Sequence, residues 1–389
     1  MAQRTNKRSN KILGNKNKKS LYVVILVLLV IAVASLLVCW RTSRPILIGV
    51  ALNLSGHGAA RGQAIKEGIV IAVKELNQAG GINGRSIKLI IADDQNTKEG
   101  VIRADKKLLR AGCPVIIGHN TSQNTLIAYP IVVGSNKILI TSCTSTTELS
   151  GRDDYFFRTS VDNARLGKAW AMLMKNRNIH AISLLVDLSN KGFAKDLTNQ
   201  IKRFFNGQVF ETVINTKKYV DWNKAIKGLM SNPSQLVLLI TNPKDTAIAL
   251  QKLRFAGYNS PVFATTWAQG QELFSYGGDS VEGLKVLTFV PPIAREVYQR
   301  INPAMKKYFQ RNATICTVRG YELTMMVADA MKRCNSRAYE PACIKEKLLS
   351  GQYNILSDTV KFDRFGDIIR PIYEIEVKEG KFVVNRRIL

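Results

Sequence analysis

The densest cluster of residues able to do chemistry in this 389-residue chain lies between Leu54 and Asp94. A glycine-rich turn, Gly56-x-Gly58-x-x-x-Gly62, follows an apolar run and opens a helical pattern, and the acid pair Asp93-Asp94 closes the next apolar run. Such an arrangement could cradle a dinucleotide, with its pyrophosphate on a helix N-terminus and its ribose on the acid. Spacing argues against it: the acid is expected ~20 residues beyond the turn, whereas Asp93 stands 31 beyond Gly62. Asp93 and Asp94 read instead as braces for the loops around them. Enzymatic chemistry has no other foothold. His57, His119 and His180 lie far apart, no H-E-x-x-H or G-x-S-x-G occurs, and no C-x-x-C supports zinc or thiol redox chemistry. No cofactor and no metal are implied.

The front of the chain carries much of the charge. Residues 1–20 hold seven Lys and Arg and no acid, and residues 21–40 (LYVVILVLLVIAVASLLVCW) hold no charge at all. Twenty apolar residues at ~1.5 Å each can cross a hydrocarbon core of roughly 30 Å as a helix. The basic tail puts the N-terminus in the cytoplasm, so everything beyond Trp40 is expected outside it. The span reads as a retained transmembrane anchor. Cleavage at Ala32-Val33-Ala34 and lipidation at Cys39 compete with that reading, but Val38 is large for the residue before a lipidated Cys. Cys334 and Cys343, nine residues apart across a turn-like stretch, are the candidate disulfide in an oxidising compartment; two free buried thiols are the alternative.

The formal charge is +27, and setting aside the nine basic residues of the first 44 leaves 47 basic against 29 acidic residues, or +18. An exported chain without a basic and aromatic motif gives no basis for nucleic-acid binding. The remaining charge points to anionic lipid head groups nearby, or to an acidic ligand or partner.

Positioning these residues requires elements, and beyond Pro45 they alternate. Apolar runs at 46–54, 86–93, 114–118 and 137–141 are each followed by a helical stretch, and a second series occurs at 181–187, 207–214, 235–241, 261–267 and 284–290. Near-continuous apolar strands between helices are what a parallel sheet buried on both faces requires. The fold class is therefore α/β, with two Rossmann-like parallel-sheet lobes joined by a multi-strand hinge. Helical patterns at 295–310, 316–334 and 341–349 precede a terminal set of strands with the turns RFGD and KEGK. This layout predicts one lobe from 45–160 with 290–353 and the other from 161–289 with 354–389.

The block Leu54-Ser55-Gly56, Gly62, Gly68, Ala72, Glu75-Leu76-Asn77, Gly80-Gly81-Ile82-Asn83-Gly84-Arg85 and Asp93 resembles the type I periplasmic solute-binding proteins of ABC transporters, in particular the group that binds leucine, isoleucine and valine. Gly118 to Ser122, Thr141 to Ser145 with Glu148-Leu149, Phe157-Arg158-Thr159, and Gly277-Gly278 through Val281-Glu282-Gly283 extend the resemblance over nearly all of the exported part. It implies a ligand held between the lobes at the carboxyl ends of the strands and buried by hinge closure. Its carboxylate would be bound on the first lobe by Ser122 and Ser145, with Asn120, Thr121 and Cys143 beside them. Ser122 also opens a helical pattern (SQNTLIAY), so helix capping is its simpler role.

On the second lobe the resemblance weakens. Lys191 stands where the family usually has a Tyr, and Thr266 and Trp267 occupy the loop where it often has an acid for the ligand's ammonium. Asn242, before Pro243, is a further candidate, though a cap is its plainer reading. A buried ammonium without that acid costs several kcal/mol. The expected ligand therefore keeps a carboxylate and lacks a free ammonium, with Trp267 as an apolar or aromatic wall. The implied function is an extracytoplasmic receptor on the outer side of a bacterial cytoplasmic membrane. It would capture an amino acid or related organic acid and hand it to an ABC permease and its ATPase. The alternative is the ligand-sensing domain of a membrane signalling system.

Overall fold

The computed structural model describes residues 26–30, 44–292, 295–355 and 358–389. Of the expected span 21–40, only 26–30 is among them, where it is helical; the rest, with the basic tail 1–20 and Cys39, lies outside the described residues. Among the described residues no helix is long and apolar enough to cross a membrane.

Two sheets organise the rest. The first has the order β2-β1-β3-β4-β5, from β1 (Ile46–Leu52), β2 (Ile87–Asp93), β3 (Val115–Gly118), β4 (Ile138–Thr141) and β5 (Phe156–Arg158). All its pairings are parallel. Strands β3 and β4 are buried at every residue, because helices cover both faces and leave no polar side to alternate with. On one face lie α1 (Ala59–Gln78), α10 (Ile315–Arg333) and α11 (Pro341–Leu349); on the other lie α2 (Lys98–Arg110) and α3 (Ser122–Val132). Helix α9 (Arg295–Phe309) packs outside α1.

The second sheet has the order β15-β14-β10-β9-β8-β6-β7. Its parallel part is β6 (Ala181–Asp187), β7 (Gln208–Ile214), β8 (Leu236–Ile240), β9 (Val262–Thr265) and β10 (Lys285–Thr288), and β14 (Tyr373–Lys378) and β15 (Lys381–Arg387) add antiparallel at one edge. Helices α4 (Asn163–Lys175) and α5 (Lys191–Phe204) cover one face, and α6 (Trp222–Met230), α7 (Pro243–Phe255) and α8 (Gln271–Gly277) the other.

The terminal segment divides between the lobes. Of residues 354–389, expected with the second lobe, Val360, Phe362 and Ile368 pack into the first core. They belong to a small antiparallel sheet of β11 (Tyr353–Ile355), β12 (Asp358–Phe362) and β13 (Ile368–Ile369). The apolar side of this sheet faces Phe157, whose ring meets that of Phe362 edge-on at 5.3 Å. The chain then crosses over near Arg370 to supply β14 and β15. Crossings near 160, 290 and 370 therefore link the lobes.

Two joints in the first lobe hold α10 in place. Helices α1 and α10 touch so closely that a Cβ on Gly68 would lie 1.8 Å from the carbonyl oxygen of Thr317, and one on Gly320 2.1 Å from that of Ile65. Only glycine permits this crossing. A disulfide joins Cys334, just after α10, to Cys343 in α11, with Cα atoms 6.0 Å apart.

Candidate functional site

The loops at the carboxyl ends of β1, β3 and β4 form the first-lobe wall of an interlobe cleft. They are tied to one another independently of any ligand. Asn53 N–H donates to Asn120 Oδ1 (2.8 Å), Ser145 N–H to Ser122 Oγ (3.1 Å) and Thr141 Oγ1 to the His119 carbonyl (2.7 Å). Thr121, in extended conformation, caps α3 by accepting from Asn124 N–H (3.1 Å). Beneath them the buried His119 imidazole sits between Asp94 (2.6 Å) and Asp105 (3.2 Å). Burial works against its charge, but the two carboxylates outweigh it and raise its pKa to about 10. The imidazolium and Asp94 brace the loop that presents Asn120.

The floor of the cleft is cationic and aromatic. Arg61, Asn120, Cys143, Ser145, Ser160, Asn190, Phe193, Thr266, Trp267, Phe289 and Arg319 surround an inner pocket of about 20 Å³. Outside it the cleft widens to about 600 Å³, sharing Arg61, Asn120, Asn190 and Trp267 with the inner pocket and adding Asn53, Asn242, Asp245 and Glu272. Arg319 is 4% exposed. Its Nη2 donates to Ser160 Oγ (3.1 Å), its guanidinium lies 5.3 Å over the Phe289 ring, and its buried Nε has no hydrogen-bond partner among the described residues. Cys143, half-buried beside it, is pushed up by burial yet ends below the usual thiol range because Arg319 and Arg61 favour the thiolate. Burial dominates at Cys316 and raises its pKa.

The lobes meet across this floor. Arg61 Nη2 donates to the Trp267 carbonyl (2.8 Å), Lys217 Nζ to the Asn96 carbonyl (2.8 Å), Gln123 N–H to Asn190 Oδ1 (3.3 Å), and Thr147 N–H to Asp196 Oδ2 (2.8 Å). Behind the floor Arg370 reaches the Thr159 carbonyl (3.4 Å) and Glu322 Oε1 (3.0 Å), fastening one crossing to another.

The structure gathers Asn120, Cys143, Ser145, Thr266 and Trp267 around the inner pocket, and Thr121 and Asn242 along the outer cleft. Trp267 meets Phe193 edge-on at 5.8 Å. Asn242 also caps α7, its Oδ1 accepting from Asp245 N–H (3.0 Å). Ser122 lines neither cavity; its hydroxyl is spent on Ser145 N–H. Lys191 is exposed and lines neither, because α5 starts there and the residue before it, Asn190, faces the cleft. Sequence reasoning missed Arg61 and Arg319. Arg61 stood inside the glycine-rich block between Gly58 and Gly62, whereas Arg319 sits in a helix that carried no motif.

The periplasmic binding protein family model matches residues 45–381. The chain is 22% identical to the leucine-, isoleucine-, valine-, threonine- and alanine-binding protein of Pseudomonas aeruginosa over 330 residues, covering 82% of this chain and 86% of that one. It is 25% identical to Leu/Ile/Val-binding protein homolog 3 of Brucella melitensis, covering 87% and 93%. Among solved structures, a leucine-binding protein from Thermotoga maritima superposes with a TM-score of 0.78 at 22% identity, covering 88% of this chain and 98% of that one. A solute-binding protein of an R. palustris ABC transporter, in complex with benzoate, gives 0.77 at 16% identity, covering 88% and 96%. The chain therefore belongs to the periplasmic binding protein family, as a type I, two-lobed member of its branched-chain amino acid group, and that family binds solutes and does not catalyse reactions.

Proposed function

We propose that this protein is an extracytoplasmic receptor that takes up a small carboxylate-bearing molecule, an amino acid or related organic acid, between its lobes and delivers it to an ABC import permease driven by a cytoplasmic ATPase. Its N-terminal segment would hold it at the outer face of the cytoplasmic membrane. The observation that carries the reading is the interlobe floor: Arg319, with an unpartnered Nε and a hydrogen bond to the Ser160 hydroxyl, lines one pocket with Ser145 and Trp267. Guanidinium and hydroxyl donors set among aromatic rings suit a small acid with an apolar body. The relatives named for amino acids and the neighbour holding benzoate support the same class of ligand.

Thermal-shift screening of the purified protein against amino acids and small organic acids tests this. A ligand at a hundred times its Kd adds about 2.7 kcal/mol, a rise of roughly 3–4 °C in Tm for a chain of this size. A saturable rise of that size with one small acid is the expected result. Flat melting curves across the whole library would contradict it.

A further inference from the structure

Among the described residues Cys113, Cys143 and Cys316 stay free, and one of them stands where a thiol reacts. Cys113 and Cys316 are buried, and burial pushes both thiols up, that of Cys113 to about 11. A thiol held neutral in apolar surroundings is a poor nucleophile. Cys143 differs in exposure and in company. It is partly exposed and lines the inner pocket with Arg61 and Arg319, and among the described residues no carboxylate lines that pocket. Burial pushes its thiol up, but the two guanidinium groups act on the sulfur and hold it below the usual thiol range. The backbone is pinned as well: Cys143 N–H donates to Thr141 Oγ1 (3.1 Å), and Ser142 Oγ lies 3.6 Å from the sulfur. Cationic flanks with partial exposure are what separate reactive cysteines from inert ones.

The pocket also selects the reagent. Its volume of about 20 Å³ is room for about one water. A tripeptide disulfide or another bulky thiol reagent is shut out, whereas a hydroperoxide can approach from the wider cleft with one oxygen in the pocket. The step balances with the peroxide as the oxidant. The Cys143 thiolate attacks one peroxide oxygen, the O–O bond breaks, the sulfur is oxidised to the sulfenic acid, and the other oxygen leaves as hydroxide, which takes a proton from solvent. A donor stands ready for the negative charge that develops on oxygen: Arg319 is 4% exposed, and its Nε has no hydrogen-bond partner among the described residues. The oxygen added to Cys143 then fills the room for one water beside Arg319 and Ser145. Its consequence for ligand binding rests on the receptor reading; the reactivity of Cys143 does not.

We propose that Cys143 is a redox modification site, oxidised by hydrogen peroxide or another small hydroperoxide to the sulfenic acid, and that this product blocks the floor of the cleft. Site-resolved mass spectrometry tests it on the full-length protein, exposed briefly to hydrogen peroxide and trapped with dimedone, which marks sulfenic acids. Cys143 should be marked about tenfold faster or more than Cys113 and Cys316. Where Cys316 captures the sulfenic acid with loss of water, the site appears as a Cys143–Cys316 disulfide and counts equally. Arg319→Gln should slow the marking roughly tenfold, whereas Arg319→Lys, which keeps the charge, should retain most of the rate. The thermal-shift response to the library of amino acids and small organic acids should be lost in the oxidised protein, and in Cys143→Ser it should not change with peroxide. Equal marking of the three thiols would overturn the inference, as would no mark on Cys143 when a denatured control is marked. An unchanged rate in folded Arg319→Gln, or an unchanged ligand response once Cys143 is oxidised, would also overturn it. If no small acid or amino acid shifts either form, the receptor reading falls, and the marking rates still decide whether Cys143 is the reactive thiol.

Discussion

Arg61 and Arg319 stand 258 residues apart in the chain and share one wall of a pocket of about 20 Å³. No spacing rule within a helix or a loop could have paired them, since only the crossing of α1 and α10 brings their neighbourhoods together. Asn120, Cys143, Ser145 and Trp267 were legible because strand ends are legible, and the carboxyl ends of parallel strands are where such folds bind. Lys191 was misleading for a local reason: the residue that faces the cleft is the one before α5 begins, and the helix turns Lys191 to solvent. His119 belongs to the supporting layer, and its charge has a measurable consequence. Its pKa is raised from the ordinary value near 6.5 to about 10. Its stabilising contribution is therefore fully present below about pH 6.5 and is lost as pH rises through 10. His119→Gln should cost on the order of a few kcal/mol at pH 6, as measured by urea denaturation, with the deficit shrinking steadily toward pH 10. A deficit that grows with pH would contradict the assignment of a buried imidazolium.

Among the elements, the strands of both parallel sheets were readable because strands buried on two faces must be apolar nearly throughout. The small sheet of β11, β12 and β13 was not, because its alternating pattern fits either lobe, and only the rings of Phe157 and Tyr353 show which core it completes. The element pair that matters most for the site is α1 with α10. Gly320 directly follows Arg319, and a Cβ on it would lie 2.1 Å from the Ile65 carbonyl oxygen. A methyl group there must push backbone against backbone, which overpacked cores resist at a cost of about 1–3 kcal/mol or more. Gly320→Ala should lower the urea midpoint accordingly and weaken ligand binding through the displaced Arg319. A variant with native stability and native affinity would show that the crossing has room for a side chain. The disulfide between Cys334 and Cys343 fixes the far end of the same helix to α11, so α10 is held at both its glycine contact and its C-terminal end.

At the scale of the whole molecule, three crossings link the lobes and a layer of hydrogen bonds joins them across the cleft. The hinge is ionic: Arg158 pairs with Asp367 (2.7 Å), and Arg370 with Glu322 (3.0 Å), so the strands that cross are joined to one another as well as to their own lobes. The cleft contacts of Arg61, Lys217 and Gln123 join the lobes a second time, apart from the crossings. The central claim, that a small acid is held on this floor, is tested most directly by native mass spectrometry of the protein purified without denaturation and then saturated with the best-binding acid. The expected result is one small-molecule adduct per chain, with the mass of a single monocarboxylic acid, that disappears in Arg319→Gln. An adduct that persists unchanged in Arg319→Gln, or no adduct in the unaltered protein, would contradict it.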